Sequence, residues 1–153
     1  MLVHRAMAKK PVYLNSKDTL SMAVKKFAKN DISGCPVLSN KKVVGVITRT
    51  DILNAIDPHS RIIKDIDLLS LVTASLKDNS FDNMKRSINK TMKMRVGKFM
   101  KKEVIVINYD EDLYNAARII NEKDISMLPV VKDEKLIGIL TRTDVIRVLE
   151  KIS

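Results

Sequence analysis

Two stretches of this chain carry apolar residues at spacings of three and four, the period of a helix with one buried face. They are Leu20, Ala23, Val24 and Phe27 in the first half, and Leu113, Ala116, Ala117 and Ile120 in the second. Acidic residues suited to helix capping precede both stretches, and they are Asp18, Asp110 and Asp112. The pattern predicts one amphipathic helix in each half of the chain.

Short β-rich runs surround each predicted helix. One run precedes it, and two follow it, joined by polar residues of hairpin length. The runs are residues 12–14, 35–38 and 43–48 in the first half, and 105–107, 128–131 and 136–141 in the second. A final helix is predicted after each, with a buried side formed by Ile52, Leu53 and Ile56, or by Val145, Ile146, Leu149 and Ile152. The order β-α-β-β-α therefore occurs twice.

The two halves also match residue by residue. Residues 12–56 align with residues 105–149 without a gap, at a constant offset of 93, and 14 of the 45 positions are identical. Both copies contain Thr-Arg-Thr-Asp, at 48–51 and at 141–144. A period this long indicates two copies of a domain-sized unit. Each copy has about 50 residues, which is small for an independent domain, so function is expected where the copies meet.

Composition limits the class of protein. The chain has 153 residues, of which 45% are hydrophobic and 30% are charged, as expected of a globular protein. Its apolar stretches are shorter than the roughly 20 residues that span a bilayer, and no signal-peptide pattern is present, so we expect a cytoplasmic protein. The single cysteine, Cys35, lies beside Pro36 in an apolar run, which predicts a buried side chain.

The net charge of +10 is unevenly distributed. Residues 83–102 contain no acid and carry the cations Lys85, Arg86, Lys90, Lys93, Arg95, Lys98, Lys101 and Lys102. Phe81, Met84, Ile88 and Met92 recur at helical spacing, so residues 81–96 are predicted to form a helix with a basic outer face. This face is either a solvated surface or a contact for phosphates of a nucleic acid or a nucleotide.

The Thr-Arg-Thr-Asp element has two interpretations. A Thr followed three residues later by an acid, just before an apolar run, is a helix-capping signature. The same helix start also offers free amides and hydroxyls to a phosphate, while the acid can accept both hydroxyls of a ribose. Taken singly, the capping interpretation is favoured.

These residues resemble the cystathionine β-synthase (CBS) domain family. The resemblance rests on Ile-Ser-x-x-Pro-Val before the second strand and on Gly-x-x-Thr-x-x-Asp after the third, each present twice. It implies a mixed α/β (α+β) fold in which two β-α-β-β-α repeats, 1–57 and 96–153, pack sheet to sheet with pseudo-two-fold symmetry, around a long helical connector at 58–95. It also implies a regulatory homodimer, not an enzyme, that acts on an unidentified protein target. The implied ligands are AMP, ADP, ATP or S-adenosylmethionine, bound in the cleft between the repeats.

The resemblance also assigns ligand-binding residues, with each site drawing on both repeats. The first site would use Met7, Val12, Ile32, Ser33, Ile139, Thr141, Thr143 and Asp144. The second would use Met100, Ile105, Ile125, Ser126, Val46, Thr48, Thr50 and Asp51. Ordinary core packing is the favoured alternative for the aliphatic residues Val12, Ile32, Ile105 and Ile125, but the repeated serine favours a site.

Three features depart from the family pattern. The segment at 57–97 is long, and Ile66, Leu68, Leu69, Val72 and Leu76 predict a further helix within it. Arg49 and Arg142 either pair with phosphate or lie in solvent. Gly34 of the first repeat is replaced by Met127 in the second, so the two adenine pockets are expected to differ in size and the two sites in affinity.

Signatures of catalysis are absent from the sequence. The two histidines, His4 and His59, have no partners at a catalytic spacing, and there is no Gly-rich phosphate loop or zinc motif. We therefore expect no metal site and no catalytic residue. Two hypotheses follow: a sensor of adenosyl ligands, and a nucleic-acid-binding or scaffolding protein that uses the basic face of residues 81–102.

Overall fold

The computed structural model describes residues 1–56 and 80–153. The first repeat contains α1 (Val3–Ala6), β1 (Leu14–Asn15), α2 (Leu20–Asn30), β2 (Gly34–Ser39), β3 (Lys42–Thr48) and α3 (Arg49–Ile56). After α4 (Ser80–Met92) and a 3₁₀ turn at Val96–Lys98, the second repeat contains β4 (Ile107–Asn108), α5 (Leu113–Glu122), β5 (Met127–Lys132), β6 (Lys135–Thr141) and α6 (Arg142–Ile152). The predicted β-α-β-β-α order is confirmed in both repeats. His59 and the helix predicted around residues 66–76 lie outside the described residues.

Each repeat forms a three-stranded sheet with its strands in sequence order. In the second sheet β4 is parallel to β5, and β5 is antiparallel to β6. Both hairpins turn through two residues with positive φ: Asn40 (49°) and Lys41 (66°), and Asp133 (49°) and Glu134 (63°). Two left-handed residues in succession form the turn whose twist matches that of paired strands. The sequence places four polar residues in each connection, at 39–42 and 132–135. Only the middle two form the turn, so the hairpins are tighter than the sequence suggested.

The predicted helix caps are partly wrong. Asp112 caps α5, because its side chain accepts the Tyr114 N–H at 2.8 Å. In the first repeat the cap of α2 is Thr19, which accepts the Met22 N–H at 3.3 Å. The carboxylate of Asp18 accepts the Asn15 N–H at 2.8 Å and so stabilises the preceding turn instead.

The described chain divides into two compact units that do not coincide with the repeats. Unit 1 contains Met1–Tyr13, Pro36–Gly45 and Lys102–Ser153, and unit 2 contains Leu14–Cys35 and Val46–Lys101. Part of this division follows from two lead segments, residues 1–8 and 94–101, which precede the first strand of each repeat at the same offset of 93. Each lead segment packs on the other repeat.

Matching backbone hydrogen bonds show this exchange. In unit 1, Val3 N–H donates to the Glu111 carbonyl at 2.9 Å, and Leu113 N–H donates to the Met1 carbonyl at 2.8 Å. In unit 2 the equivalent bonds run from Val96 to Asp18 at 2.8 Å and from Leu20 to Met94 at 2.9 Å. The two lead segments therefore occupy equivalent places.

The core of unit 1 is a single apolar cluster to which α1, β4, α5, β5 and β6 contribute. Its buried members are Val3, Ile107, Leu113, Ala116, Ile120, Leu128, Val130 and Leu140. The equivalent residues of unit 2 are also buried, among them Leu14, Leu20, Ala23, Phe27, Ile47 and Val96. Val3 and Val96 are both completely buried, so each lead segment supplies a core residue to the repeat on which it packs.

The predicted buried side of the final helices is mostly wrong. In α3 only Ile52 is buried, and Leu53 is 65% exposed. In α6 Val145 and Val148 pack against the core, whereas Ile146, Leu149 and Ile152 are 62%, 56% and 72% exposed. The apolar face of each helix is wider than the strip that contacts its own unit, so part of it is left at the surface.

The predicted basic helix is present but shorter than expected, since α4 ends at Met92. Ile88 and Met92 are half-buried, and Met84 is 50% exposed. All eight cations of residues 83–102 are exposed. No helix among residues 1–56 and 80–153 is long and apolar enough to cross a membrane.

Candidate functional site

The two Thr-Arg-Thr-Asp elements lie at the starts of α3 and α6 and form the same hydrogen bonds. Asp144 Oδ2 accepts the Thr141 N–H at 2.8 Å and the Thr141 hydroxyl at 2.7 Å, and the Asp144 N–H donates to Thr141 Oγ1 at 3.3 Å. The equivalent distances for Thr48 and Asp51 are 2.8, 2.9 and 3.3 Å. The capping prediction is therefore confirmed in both repeats.

Capping uses only part of each element. It occupies one carboxylate oxygen, Oδ2, and the hydroxyl of the first threonine. Asp144 Oδ1 is 3.4 Å from Arg147 Nη1, and Asp51 Oδ1 has no donor within the part of the chain that the structure describes. The hydroxyl-bearing residues Thr50 and Thr143 are exposed. Capping thus leaves Oδ1 and the second threonine of each element unused, although Oδ1 of Asp144 already accepts from Arg147.

The loops that lead into β2 and β5 carry the repeated Ile-Ser pair. Ser33 and Ser126 are exposed, and Ile32 and Ile125 are half-buried. Ile125 packs against the core of unit 1, as does Ile105. Core packing therefore accounts for part of the surface of these aliphatic residues. It does not account for the two serines, which are exposed.

The lead segments bring further predicted residues to the third strand of each sheet. Ala8 and Ile139 exchange two backbone hydrogen bonds of 2.9 and 3.1 Å, and Lys101 and Val46 exchange two of 2.8 and 3.0 Å. These bonds bring the segments that carry Met7 and Met100 against β6 and β3, respectively. A Cβ added to Gly138 would lie 2.8 Å from the Ala8 carbonyl oxygen, so this approach requires glycine.

The sixteen predicted site residues fall into both units, and none of them is fully buried. Unit 1 holds Met7, Val12, Ile105, Ile125, Ser126, Ile139, Thr141, Thr143 and Asp144. Unit 2 holds Ile32, Ser33, Val46, Thr48, Thr50, Asp51 and Met100. Met7 lies in the same unit as Ile139, and Met100 lies in the same unit as Val46. The assignment of Ile32 and Ser33 to the same ligand as Asp144, and of Ile125 and Ser126 to that of Asp51, stays a prediction, as does the effect of Gly34 and Met127.

Arg49 and Arg142 are exposed, which is one of the two alternatives expected of them, but each also bonds a neighbouring loop. Arg142 Nε donates to the Ile125 carbonyl at 3.1 Å, and its Nη2 donates to Asp124 Oδ1 at 2.6 Å. Arg49 contacts Ile32 and Asp31 in the same way. The repeated Asp and Arg were visible in the sequence, but their pairing across 18 positions was not.

A cavity of about 360 Å³ in unit 2 was also missed. It is lined by Asp51, Asn54, Ala55, Lys98 and Phe99. Its volume is within the range of small-ligand sites, and it combines a carboxylate, a cation and an aromatic ring. Lys98 was counted only as one of the basic residues of 83–102, because nothing in its spacing pointed to Asp51.

Comparison with known proteins identifies the family. The chain matches the CBS domain over residues 3–58 and again over residues 96–151. It belongs to the CBS domain family. The two matches coincide with the two repeats, so the chain contains a tandem CBS pair, also called a Bateman module.

Relatives of this CBS pair include the protein MJ1426 of Methanocaldococcus jannaschii, which is 35% identical over 97% of this chain and 91% of its own length. CBSX2, a chloroplastic CBS domain protein of Arabidopsis thaliana, is 35% identical over 85% of this chain but only 53% of its own length. The crystal structure of CBSX2 in complex with AMP has a TM-score of 0.71 and 26% identity, covering 99% of this chain and 97% of that one.

The CBS pair of MJ0100, in complex with 5'-methylthioadenosine and S-adenosylmethionine, is more distant. Its TM-score is 0.70 at 24% identity, covering 100% of this chain and 98% of the other. At this identity the likeness shows the shared fold.

Proposed function

We propose that this CBS pair is a regulatory module that binds an adenosyl ligand through its two Thr-Arg-Thr-Asp elements. The proposal rests on the repeated helix start, where the capping hydrogen bonds do not use one carboxylate oxygen and one exposed threonine. The similarity to CBSX2, whose crystal structure contains AMP, supports an adenine nucleotide as the ligand. CBS pairs are typically regulatory, so the module would control a protein target.

The chemistry of the element fits a nucleoside. Asp51 and Asp144 accept ribose hydroxyls at Oδ1 while Oδ2 stays in the cap, since a carboxylate has about four acceptor positions. Free amides at the starts of α3 and α6 favour a phosphate, and Thr50 and Thr143 add hydroxyl donors. The exposed serines, Ser33 and Ser126, would bond polar atoms of the base. A ligand would change regulation only by binding two states of the module with different affinity.

Thermal unfolding of the full chain tests this function. AMP, ADP, ATP and S-adenosylmethionine would be compared with guanosine and pyrimidine nucleotides at the same concentration. A ligand present at 100 times its dissociation constant adds about 2.7 kcal/mol, which raises the Tm of a chain of this size by several degrees. A flat response to every adenosyl compound at millimolar concentration would contradict the proposal.

The exposed apolar residues of α3 and α6 support a homodimer. They border two related grooves, one of about 350 Å³ beside α3 that includes Phe27 and Leu53, and one of about 190 Å³ beside α6 that includes Ile120 and Ile146. An apolar surface of this kind is typical of a contact with another protein, and a two-fold dimer is the commonest closed assembly. Analytical ultracentrifugation should find twice the chain mass of 17.3 kDa. The chain mass itself at micromolar concentration would refute the dimer.

Nucleic-acid binding is the second candidate function, because all eight cations of residues 83–102 are exposed. Binding through many phosphates weakens steeply with salt, whereas a small-ligand site does not. Replacing Lys85, Arg86, Lys90 and Lys93 with Gln would abolish such binding and leave adenosyl binding unchanged. We expect no submicromolar affinity for RNA or DNA near physiological salt, and such affinity would favour this candidate.

A further inference from the structure

Two arginines each tie two separate segments of one repeat together. Arg49 Nε donates to the Ile32 carbonyl at 3.0 Å, and Nη2 donates to Asp31 Oδ1 at 3.4 Å. The backbone N–H of Arg49 also donates to the Ser33 carbonyl at 2.9 Å. Arg142 repeats the side-chain contacts with Ile125 and Asp124. We refer to Arg49 with Asp31, and Arg142 with Asp124, as the arginine clamps.

The arginine clamps contribute little to the stability of the fold. The side chains of Arg49 and Arg142 are 55% and 53% exposed, and those of Asp31 and Asp124 are 101% and 92% exposed. Ion pairs this exposed contribute little to the free energy of unfolding. The aspartates also occupy left-handed backbone positions, with φ of 48° and 49°. Each clamp thus fixes a sharply turned loop at its exposed edge and adds little to the core.

The two segments that each clamp connects indicate another role. One end of the Arg49 clamp is the loop that carries Ile32 and Ser33, and the other end is the helix start that carries Thr50 and Asp51. The resemblance assigns Ser33 and Asp51 to different ligands. The Arg142 clamp joins Ser126 and Asp144, which are likewise assigned to different ligands.

We propose that Arg49 and Arg142 are positioning residues that couple the binding of two adenosyl ligands to this chain. The proposal rests on the adenosyl-binding function above. A guanidinium is a rigid planar fork, so it bonds a carbonyl and a carboxylate at once and holds them at a fixed separation. A ligand that shifts the loop therefore shifts the helix start by the same contact. Coupling of this kind is reciprocal, since each ligand changes the affinity of the other by the same factor.

Calorimetry on pairs of full chains, with and without D51N, tests the coupling, with AMP and, separately, S-adenosylmethionine as ligands. D51N is introduced into the wild-type, R49Q/R142Q, D31N/D124N and R118Q backgrounds. D51N removes one binding step, so the affinity of the remaining step is compared with and without the other ligand. D31N/D124N opens both clamps from their other ends while keeping residues that tolerate positive φ. R118Q is the control, because Arg118 also pairs with an exposed acid, Glu122, but touches no proposed ligand residue.

In chains with both clamps, the affinity of the remaining step is expected to change about fivefold or more when D51N is introduced. In the R49Q/R142Q and D31N/D124N backgrounds the same change falls to less than about twofold, and the R118Q background behaves as wild type. The ligand-free Tm of each variant verifies that it folds. An equal factor with and without the two arginines would overturn the coupling while leaving adenosyl binding intact. D51N with a wild-type isotherm would also overturn it, whereas no binding of either compound by wild type would remove the proposed function itself.

Discussion

The starts of α3 and α6 carry the same four residues and the same hydrogen bonds, yet their surroundings differ. The carboxylate of Asp144 has Arg147 at 3.4 Å, one turn along α6. The equivalent position in α3 is Asn54, and Asp51 instead borders the cavity that contains Lys98 and Phe99. The duplication has therefore kept the hydrogen bonds of the helix start and varied the charge and shape around them. Two equal elements should give two unequal sites.

The largest effect is expected from removing each aspartate in turn. Asp51→Asn and Asp144→Asn keep an oxygen that can accept both capping bonds, so stability should change little. Each loses a charge-assisted contact to ribose worth about 1.5–3 kcal/mol, or about 10- to 100-fold in affinity. Calorimetry should show that the two variants lose different binding steps, with the step of Asp144 the tighter one in wild type. Wild-type isotherms from both variants would leave only the capping role.

How much of this site was predictable depended on the range of the contacts. The strands, helices and capping boxes of the two repeats follow from patterns within about ten residues, and the structure confirms them. The contacts of the first lead segment join residues more than 100 positions apart, such as Val3 and Glu111. Its signal was nevertheless present, because Met1, Val3 and Met7 recur as Met94, Val96 and Met100 at the repeat offset.

Other errors came from assigning burial or capping to single residues without knowing what surrounds them in the fold. Leu53 and Ile146 were predicted to be buried because they lie on apolar helix faces, but periodicity does not say whether the chain itself covers such a face. Asp18 was predicted to be a cap because acids favour that place, whereas Thr19 lies one residue nearer the helix and takes it. The cavity beside Asp51 needs Lys98 and Asn54, which come from segments with no common sequence pattern.

The second prediction compares the two lead segments. Val3→Ala and Val96→Ala each remove two carbons from a completely buried side chain, which costs about 2 kcal/mol of unfolding free energy. Urea denaturation of each variant measures the loss. Tyr114→Ala is the control, because Tyr114 is 80% exposed and should change stability by less than about 0.5 kcal/mol. If only Val96→Ala lowers the unfolding free energy, the first lead segment does not share the role of the second.

The third prediction uses Cys35, whose equivalent in the second repeat is Leu128. Burial raises the pKa of the Cys35 thiol to about 12, so the folded state keeps its proton at pH values where the unfolded state, near pKa 9, loses it. Stability must then fall as pH rises above 9, by about 1.4 kcal/mol at pH 10. Denaturation at pH 8 and pH 10 should show this loss in wild type, relative to Cys35→Ala. An equal pH dependence of both chains would show that the thiol ionises freely in the folded protein.

The smallest effect should come from exchanging the residues that distinguish the two helix starts. Arg147 has opposite influences on a ligand at Asp144. It competes for the Oδ1 atom that ribose would use, and it attracts phosphate. Since Arg147 is 69% exposed, its attraction is screened and is worth at most about 1 kcal/mol, or about fivefold in affinity. Arg147→Asn should therefore lower the affinity for ATP about two- to fivefold and leave the affinity for adenosine unchanged or slightly higher.

The reverse change, Asn54→Arg, should raise the affinity for ATP at the Asp51 element by a similar factor. The affinity for adenosine should not rise with it. Calorimetry with both ligands at low and high salt separates the two influences, because only attraction to phosphate is weakened by salt. If Arg147→Asn changes ATP and adenosine by the same factor, Arg147 acts through the Asp144 carboxylate. The inequality of the two sites would then come from the shape of their pockets, where Gly34 and Met127 differ, and not from charge.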